Sequence, residues 1–369
     1  MHRVRFHYTL ERDGGPALIR NPLLDLLQAV AQHGSISAAA RALGLSYRHV
    51  WGELKRWEGE LDHALIVWEK GQAARLTAFG AKLMWAERQA QARLQPQIEA
   101  LRADLERAFA IAFDDAAHVL TFYASHDEAL AELREQALAA DRRLHLDIRF
   151  TGSVDAIRAL NEGRCMLAGF HTREQPAPGS LAQRTYKPLL RPGRHKLIGF
   201  ARRTQGLIVA PGNPLGLHGL ADLARRGARF ANRALGTGTR LLFDELRLQH
   251  GLGEDDIVGY RHTESSHAAV AQAVAAGLAD CGLGTEAAAR ARGMDFVALV
   301  DERYHLVCLK SALDQPAIVA LRALLASAAW QARLAALPGH APAQCGEVLA
   351  MSRLLPWWHY RSARHAPSS

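Results

Sequence analysis

Hydroxyls, glycines, histidines and an arginine recur in this sequence where apolar runs give way to helical patterns. Ser125 and His126 follow one such run, Gly152 and Ser153 a second, and His171 ends a third. Thr237, Gly238, Thr239 and Arg240 stand within "NRALGTGTRLLFDELR", and Ser265, Ser266 and His267 open the pattern in "TESSHAAVAQAVAAG". A helix start has unpaired amide N–H groups and partial positive charge, so several converging on one point bind a small anion without a metal. Hydroxyls add neutral donors, glycines admit close backbone approach, and a neutral imidazole donates one hydrogen bond. These residues form the candidate ligand set, with Ser153 expected to cap its helix and Arg240 to supply the charge.

Other chemistries lack comparable support. "GLGTEAA" and "GTGTR" do not complete GxGxxG, and no Walker lysine follows either. His262 and His267 are five apart, off the four-residue spacing of paired helical metal ligands. Cys165, Cys281, Cys308 and Cys345 form no CxxC pair and read as buried free thiols. Ser125 and His126 are neighbours, yet nothing visible orients the imidazole, and no carboxylate pair or nucleophile–base set assembles. The expectation is a binding protein without catalytic residues, metal or cofactor, and not an enzyme.

The elements that must hold the candidate residues are legible from His118 onward. "HVLTFYASHDEALAELREQAL" reads as strand, polar loop, helix; "LHLDIRFTGSVDAIRALNEG" repeats that order, and "CMLAGFH" is a further strand. Such alternation implies a parallel sheet with right-handed crossovers, whose ligands bind beyond the carboxyl ends of the strands.

The first third has another style. In "NPLLDLLQAVAQHG", Asn21 stands at a cap, Pro22 at the first helical position, and Leu23, Leu26, Leu27 and Val30 on one face. Ser37 is expected to cap a short alanine-rich helix, Gly44 to make a left-handed turn, and Ser46 to cap the next helix. Helix, short glycine-containing turn, helix is the helix-turn-helix pattern. Val50, Leu54 and Trp57 face the core, which leaves Ser46, Tyr47, Arg48 and His49 for base edges and Lys55 and Arg56 for phosphate. "ALIVWEKGQAARLT" reads as a wing whose Lys70 and Arg75 touch the backbone, and Ser37 joins this DNA-facing set. A long helix capped by Thr77 follows, with a 4-3-4 seam of Leu94, Ile98, Leu101 and Leu105 that suits a partner helix, and Pro96 is expected to kink it.

"GSISAAARALGLSYRHVWGELKRWE" together with "LIVWEKGQAARLTAFG" resembles the N-terminal winged helix of the ModE family of molybdate-responsive regulators, related to LysR-type regulators. "QGLIVAPGNP", the "GTGTR" stretch, "GYRHTESSHAAVAQAVAAGLADCGLGTEAAA" and "ERYHLVCL" together resemble the periplasmic-binding-protein-like domain of regulators related to molybdate-binding proteins. The resemblance implies dimerisation through the long helix. It also implies an α/β domain of the type 2 class whose two lobes are joined by hinge crossings near 177–203 and in "VALVDERYHLVCLK". It further implies molybdate or tungstate as effector. The tandem domains that bind molybdate in ModE itself have no counterpart here, so a small organic acid or cofactor-related metabolite stays open as the ligand.

The expected layout is multidomain: a winged helix-turn-helix over 20–76, a linker helix over 77–112 and a two-lobed ligand domain over 117–345. A chain of 369 residues with 49% hydrophobic content supports several cores. The net charge of +8 invites a polyanion, but residues 1–115 are nearly balanced at 15 cations to 14 anions, so the DNA argument rests on local placement. No signal-peptide core and no run of 18 apolar residues is seen, which predicts a cytoplasmic protein without a membrane partner and disfavours a transport-type binding protein. The expected partners are a palindromic double-stranded operator, a small anion and further copies of the chain, as a homodimer or dimer of dimers.

Overall fold

The computed structural model describes residues 21–68, 73–113, 118–140 and 143–358. The chain divides into two compact units, Met1–Ile98 and Glu99–Ser369. In the first, α1 (Pro22–His33), α2 (Ile36–Ala42) and α3 (Tyr47–Leu61) precede a two-stranded wing of β1 (Ile66–Val67) and β2 (Arg75–Leu76). The Asn21 side chain accepts the Leu23 N–H at 3.0 Å, and Leu23, Leu26, Leu27 and Val30 are buried against Ile36, Ala39, Ala40, Val50 and Leu54. Ala39 and Ala40 have no bulk to hold the neighbouring helices apart.

The cap of α2 is Ser35 and not Ser37: Ser35 Oγ accepts the Ala38 N–H at 3.0 Å, while Ser37 is exposed inside the helix. Ile36 belongs to the core, so the helix begins at that residue and its cap lies one position earlier. Gly44 takes the left-handed conformation (φ 66), and Ser46 Oγ accepts the His49 N–H at 3.1 Å to start α3. Helix α4 (Ala78–Phe113) follows, its start fixed by Thr77 Oγ1, which accepts the Gly80 N–H at 3.0 Å and donates to the Ala64 carbonyl at 2.7 Å. Pro96 lies inside α4.

The second unit begins with β3 (His118–Ala124), α5 (Glu128–Ala140), β4 (Leu144–Phe150), α6 (Ser153–Asn161), β5 (Leu167–Arg173), α7 (Leu181–Tyr186) and β6 (His195–Val209). It continues with α8 (Leu220–Arg226), β7 (Phe230–Arg233), α9 (Gly238–Gln249), β8 (Thr263–Glu264), α10 (His267–Ala275), β9 (Cys281–Thr285), α11 (Glu286–Arg290) and β10 (Asp295–Leu309). The helices α12 (Pro316–Ala326) and α13 (Ala328–Ala335), strands β11 (His340–Pro342) and β12 (Val348–Leu349), and α14 (Met351–Leu354) close it.

These strands form one mixed sheet in the order β4-β3-β5-β10-β6-β9-β7-β8, with β11 and β12 on β6. The β3–β4, β3–β5, β7–β9 and β7–β8 pairs are parallel, whereas β10 is antiparallel to β5 and β6, and β6 to β9. Fifteen residues each, β6 and β10 extend about 50 Å at a strand's rise, enough to serve two lobes. Glu302–Val307 of β10 pair with β5 in the near lobe, and Gln205–Val209 of β6 pair with β9 in the far lobe. The two crossings therefore lie on β6 and β10, and the β10 register shifts between Ala298 and Val300 and between Tyr304 and His305.

Each lobe has its own core. Phe122, Ile148, Phe200, Leu306 and Trp330 pack on one face of the near lobe, with Phe200 and Trp330 stacked at 5.8 Å; Ile157, Phe170, Tyr186 and Trp357 pack on the other. In the far lobe, Phe230 stacks on Phe243 at 4.3 Å beside Leu283. Burying each such side chain stabilises the fold by about 2 kcal/mol before entropy is counted. The four cysteines are buried free thiols. Among the described residues no single helix is long and apolar enough to cross a membrane.

Candidate anion cleft and nucleic-acid interface

Helix starts from both lobes face one another where β6 and β10 cross. In the far lobe, Thr237 Oγ1 accepts the Arg240 N–H at 3.3 Å to cap α9, and Ser266 Oγ accepts the Ala269 N–H at 3.0 Å to cap α10. In the near lobe the expectation for Ser153 needs correcting. Gly152 holds the cap position of α6 and Ser153 is the first helical residue, so its hydroxyl does not cap and lies 3.5 Å from Ser125 Oγ.

Two glycines let the lobes meet. A Cβ at Gly152 would stand 2.6 Å from the Gly236 carbonyl oxygen, which accepts the Val154 N–H at 3.4 Å. A Cβ at Gly238 would stand 3.0 Å from His171 Nδ1 and 3.2 Å from Ser153 Oγ. The start of α9 is thereby pressed onto Ser153 and His171. One residue further, Thr239 Oγ1 lies 3.5 Å from His267 Nε2 and accepts from Gln205 Nε2 at 3.3 Å. Across the same cleft, Thr285 Oγ1 donates to Glu128 at 3.2 Å.

The structure thus brings Ser125, Ser153, His171, Gly238, Thr239 and His267 together with Gln205 of the β6 crossing. It also supplies a charge that the sequence reading missed. Arg233, the last residue of β7, is only 2% exposed, and its Nε and Nη1 have no hydrogen-bond partner. Both ring nitrogens of His171, His267 Nδ1 and Gln205 Oε1 are likewise buried without partners. Burial, then the neighbouring Arg203, lowers the Arg233 guanidinium to about 10 against the opposing pull of Glu128, Glu264 and Asp127, so it remains a cation at neutral pH. A buried cation with unmet donors is costly unless an anion answers it.

The histidines differ in kind from Arg233. Burial, then the charge of Arg203, holds His171 well below the ordinary imidazole range; burial and Arg233 do the same to His267. Both are neutral near pH 7 and each offers one N–H. Arg203 itself is occupied, bonded to Asp127 and to Glu302 at 3.0 Å. Burial opposes ionisation of Asp127, yet Arg203 and His340 hold its carboxyl well below the usual range.

Three candidates lie elsewhere, and a fourth, Thr237, stands at the lobe contact with its hydroxyl already engaged. Arg240 is turned to Asp244 at 3.0 Å and lies over the Tyr260 ring at 4.2 Å, so its charge is answered within its own lobe. His126 Nε2 is 3.4 Å from the buried Glu99 of α4, and its ring packs 4.8 Å from Phe150. Ser265 is exposed, and the Thr237 hydroxyl is engaged with the α9 cap and the Ala234 carbonyl. The alternation that exposes strand ends in sequence carries no mark of a buried arginine, which is why Arg240 rather than Arg233 stood out.

On α3, Val50 and Leu54 are buried, and Tyr47, Arg48, His49, Lys55 and Arg56 are exposed. Arg48 has no ion pair among the described residues. Lys55 pairs with Glu58 at 2.7 Å, and Arg56 pairs with Glu53 at 2.7 Å and Glu60 at 2.5 Å. Exposed pairs of this kind are weak and exchange readily for phosphate, but the unpaired cation sits at the helix start. Arg75 lies on β2, while Lys70 falls outside the described residues.

Residues 22–81 match the model of the bacterial regulatory helix-turn-helix proteins of the lysR family, and residues 135–326 match the PBP superfamily domain. The chain is 32% identical over 201 residues to the uncharacterised protein YvgK of Bacillus subtilis, covering 54% of this chain and 64% of YvgK, which is just under two thirds of that relative. It is 33% identical over 110 residues to an uncharacterised Clostridium pasteurianum protein from the 5′ region of a 2Fe-2S ferredoxin gene, covering 30% of this chain and 96% of that one. Among solved structures, a hydrogen-peroxide-bound mutant of Corynebacterium glutamicum OxyR aligns with 84% of this chain and 94% of its own at 18% identity and a TM-score of 0.42. The PBP match alone spans more than half of the chain. The chain belongs to the PBP superfamily through residues 135–326, and ahead of that domain its residues 22–81 match the lysR-family helix-turn-helix.

Proposed function

We propose that this chain is a transcriptional regulator of the LysR type that senses a small oxyanion in the cleft between its lobes and reports it to an operator bound by α3 and the wing. The observation that carries the reading is Arg233, a buried guanidinium with Nε and Nη1 unmet, set among neutral His171 and His267. One cation, helix starts and neutral donors suit a compact anion that needs many hydrogen bonds. Within that class, molybdate or tungstate is favoured by the resemblance of the N-terminal segment to the ModE family.

The anion bridges the lobes and so favours the shut form in proportion to its differential affinity. Ser125 touches the site, and its neighbour His126 leans on Glu99 of α4. Occupancy is thereby felt by the helix that continues from the wing. Leu94 and Leu101 are exposed along the α4 seam, which supports pairing with a second copy and hence a palindromic operator.

Thermal-shift measurements with molybdate, tungstate, sulfate, phosphate and formate test the reading. A bound anion at one hundred times its Kd stabilises the native state by about 2.7 kcal/mol. Stabilisation by molybdate or tungstate at the lowest concentrations supports it. No response to any tetrahedral anion, with a response to formate and larger carboxylates, supports an organic-acid effector instead.

A further inference from the structure

The N-terminal unit exposes aromatic surface that its core does not require. Tyr47 is 47% and Trp68 56% exposed, and both meet the part-buried Trp51. The rings of Tyr47 and Trp51, one helical turn apart on α3, are nearly parallel with centroids 6.4 Å apart. Trp51 meets Trp68, the residue that follows β1 of the wing, edge-on at 6.4 Å. Val67, 48% exposed, continues the ridge along the wing. The ridge therefore lines the flank of α3 that faces the wing.

Its border is cationic. Lys55 Nζ lies 4.9 Å over the Trp51 ring, and Arg48 and His49 are exposed on the same first turn as Tyr47. Packing against a second copy would set these cations against their own images. A polyanion that also presents apolar groups fits both halves of the surface, and duplex DNA has deoxyribose and thymine methyl groups beside its phosphates. Resting on the DNA-binding reading above, we propose that Tyr47, Trp51 and Trp68 form the apolar wall of a double-stranded-DNA contact, with Arg48 and Lys55 on the flanking phosphates. The wall adds affinity and shape selectivity through contacts that salt does not screen.

The test uses the full chain with duplexes recovered by the protein from a randomised pool, and the same duplexes with thymine replaced by deoxyuridine. Trp68→Ala is expected to weaken binding roughly tenfold while the slope of log K against log salt stays the same, since no phosphate contact is removed. Trp68→Phe should recover most of the loss, and tryptophan emission of the wild type should change on binding. Arg48→Ala should instead reduce the salt slope by about one. A penalty for deoxyuridine that disappears in Trp68→Ala assigns the contact to thymine methyls; an equal Trp68→Ala loss on both duplexes assigns it to deoxyribose. Wild-type DNA binding with no loss in Trp68→Ala or Tyr47→Ala and unchanged emission overturns the wall but leaves the DNA-binding reading intact. Failure of the wild type to recover any duplex overturns both.

Discussion

Gly238 sets the start of α9 against Ser153 and His171 of the near lobe. With His171 Nδ1 3.0 Å and Ser153 Oγ 3.2 Å from the position of a Cβ, Gly238→Ala forces the α9 start away from the near lobe. We expect it to lower anion affinity at least tenfold while operator affinity without anion is unchanged; isothermal titration and gel shift measure the two. Arg240→Ala should do the reverse of what its position in "GTGTR" suggests. It loses the bond to Asp244 and the contact with Tyr260, so stability drops by about 1 to 2 kcal/mol in denaturant melts while anion affinity holds. The hydroxyls and histidines at strand ends are legible in the sequence because the strand–helix alternation marks those ends. Arg233 is not, because a charged residue closing a short strand reads as an exposed end until tertiary packing buries it.

Helix α4 and the start of α5 carry the predictions at the level of elements. Leu101 is 59% exposed on the α4 seam, so Leu101→Glu should leave the fold intact and shift the chain to monomer in sedimentation. A dimer that survives would place the interface elsewhere. His126→Gln replaces the imidazole that lies 3.4 Å from Glu99 without touching the cleft donors. Anion affinity should stay within about twofold, while the effect of anion on operator affinity collapses, a loss of coupling and not of binding. Lost anion affinity would instead make His126 a ligand contact. The strand–helix alternation was readable from periodicity and the second crossing on β10 from the resemblance, but the expected parallel sheet is mixed, because the two long crossing strands β6 and β10 run antiparallel to each other and to their neighbours. Cap positions were not: "SIS" offers two serines, and only burial of Ile36 selects Ser35, while "GS" gives the α6 cap to Gly152 and releases the Ser153 hydroxyl.

At the scale of the whole molecule, buried histidines set the response to acid. Burial pushes His305 down to about 3 and holds His171 and His267 well below the ordinary value near 6.5. Below pH 6.5 the unfolded chain takes up protons that these residues refuse in the native state, so stability falls as pH falls toward their folded values. His305 alone costs about 2 kcal/mol between pH 7 and pH 5. His340 runs the other way. Burial opposes its charge, but Asp127 raises it, so its contribution is present below 6.5 and fades as pH rises. Burial also lowers His145 and His195, so with five depressed against one raised the melting temperature should drop from pH 7 to pH 5, and a flat profile would contradict the buried neutral state of the cleft histidines.

The central claim is that Arg233 answers an oxyanion, and calorimetric titration of molybdate into wild type and Arg233→Met tests it most directly. Methionine fills a similar volume without charge and relieves the unmet donors, so the variant should melt no lower than wild type without ligand. The account predicts saturable one-site binding to the wild type and at least a hundredfold loss in Arg233→Met. Equal binding by both proteins, or none by the wild type, would contradict it.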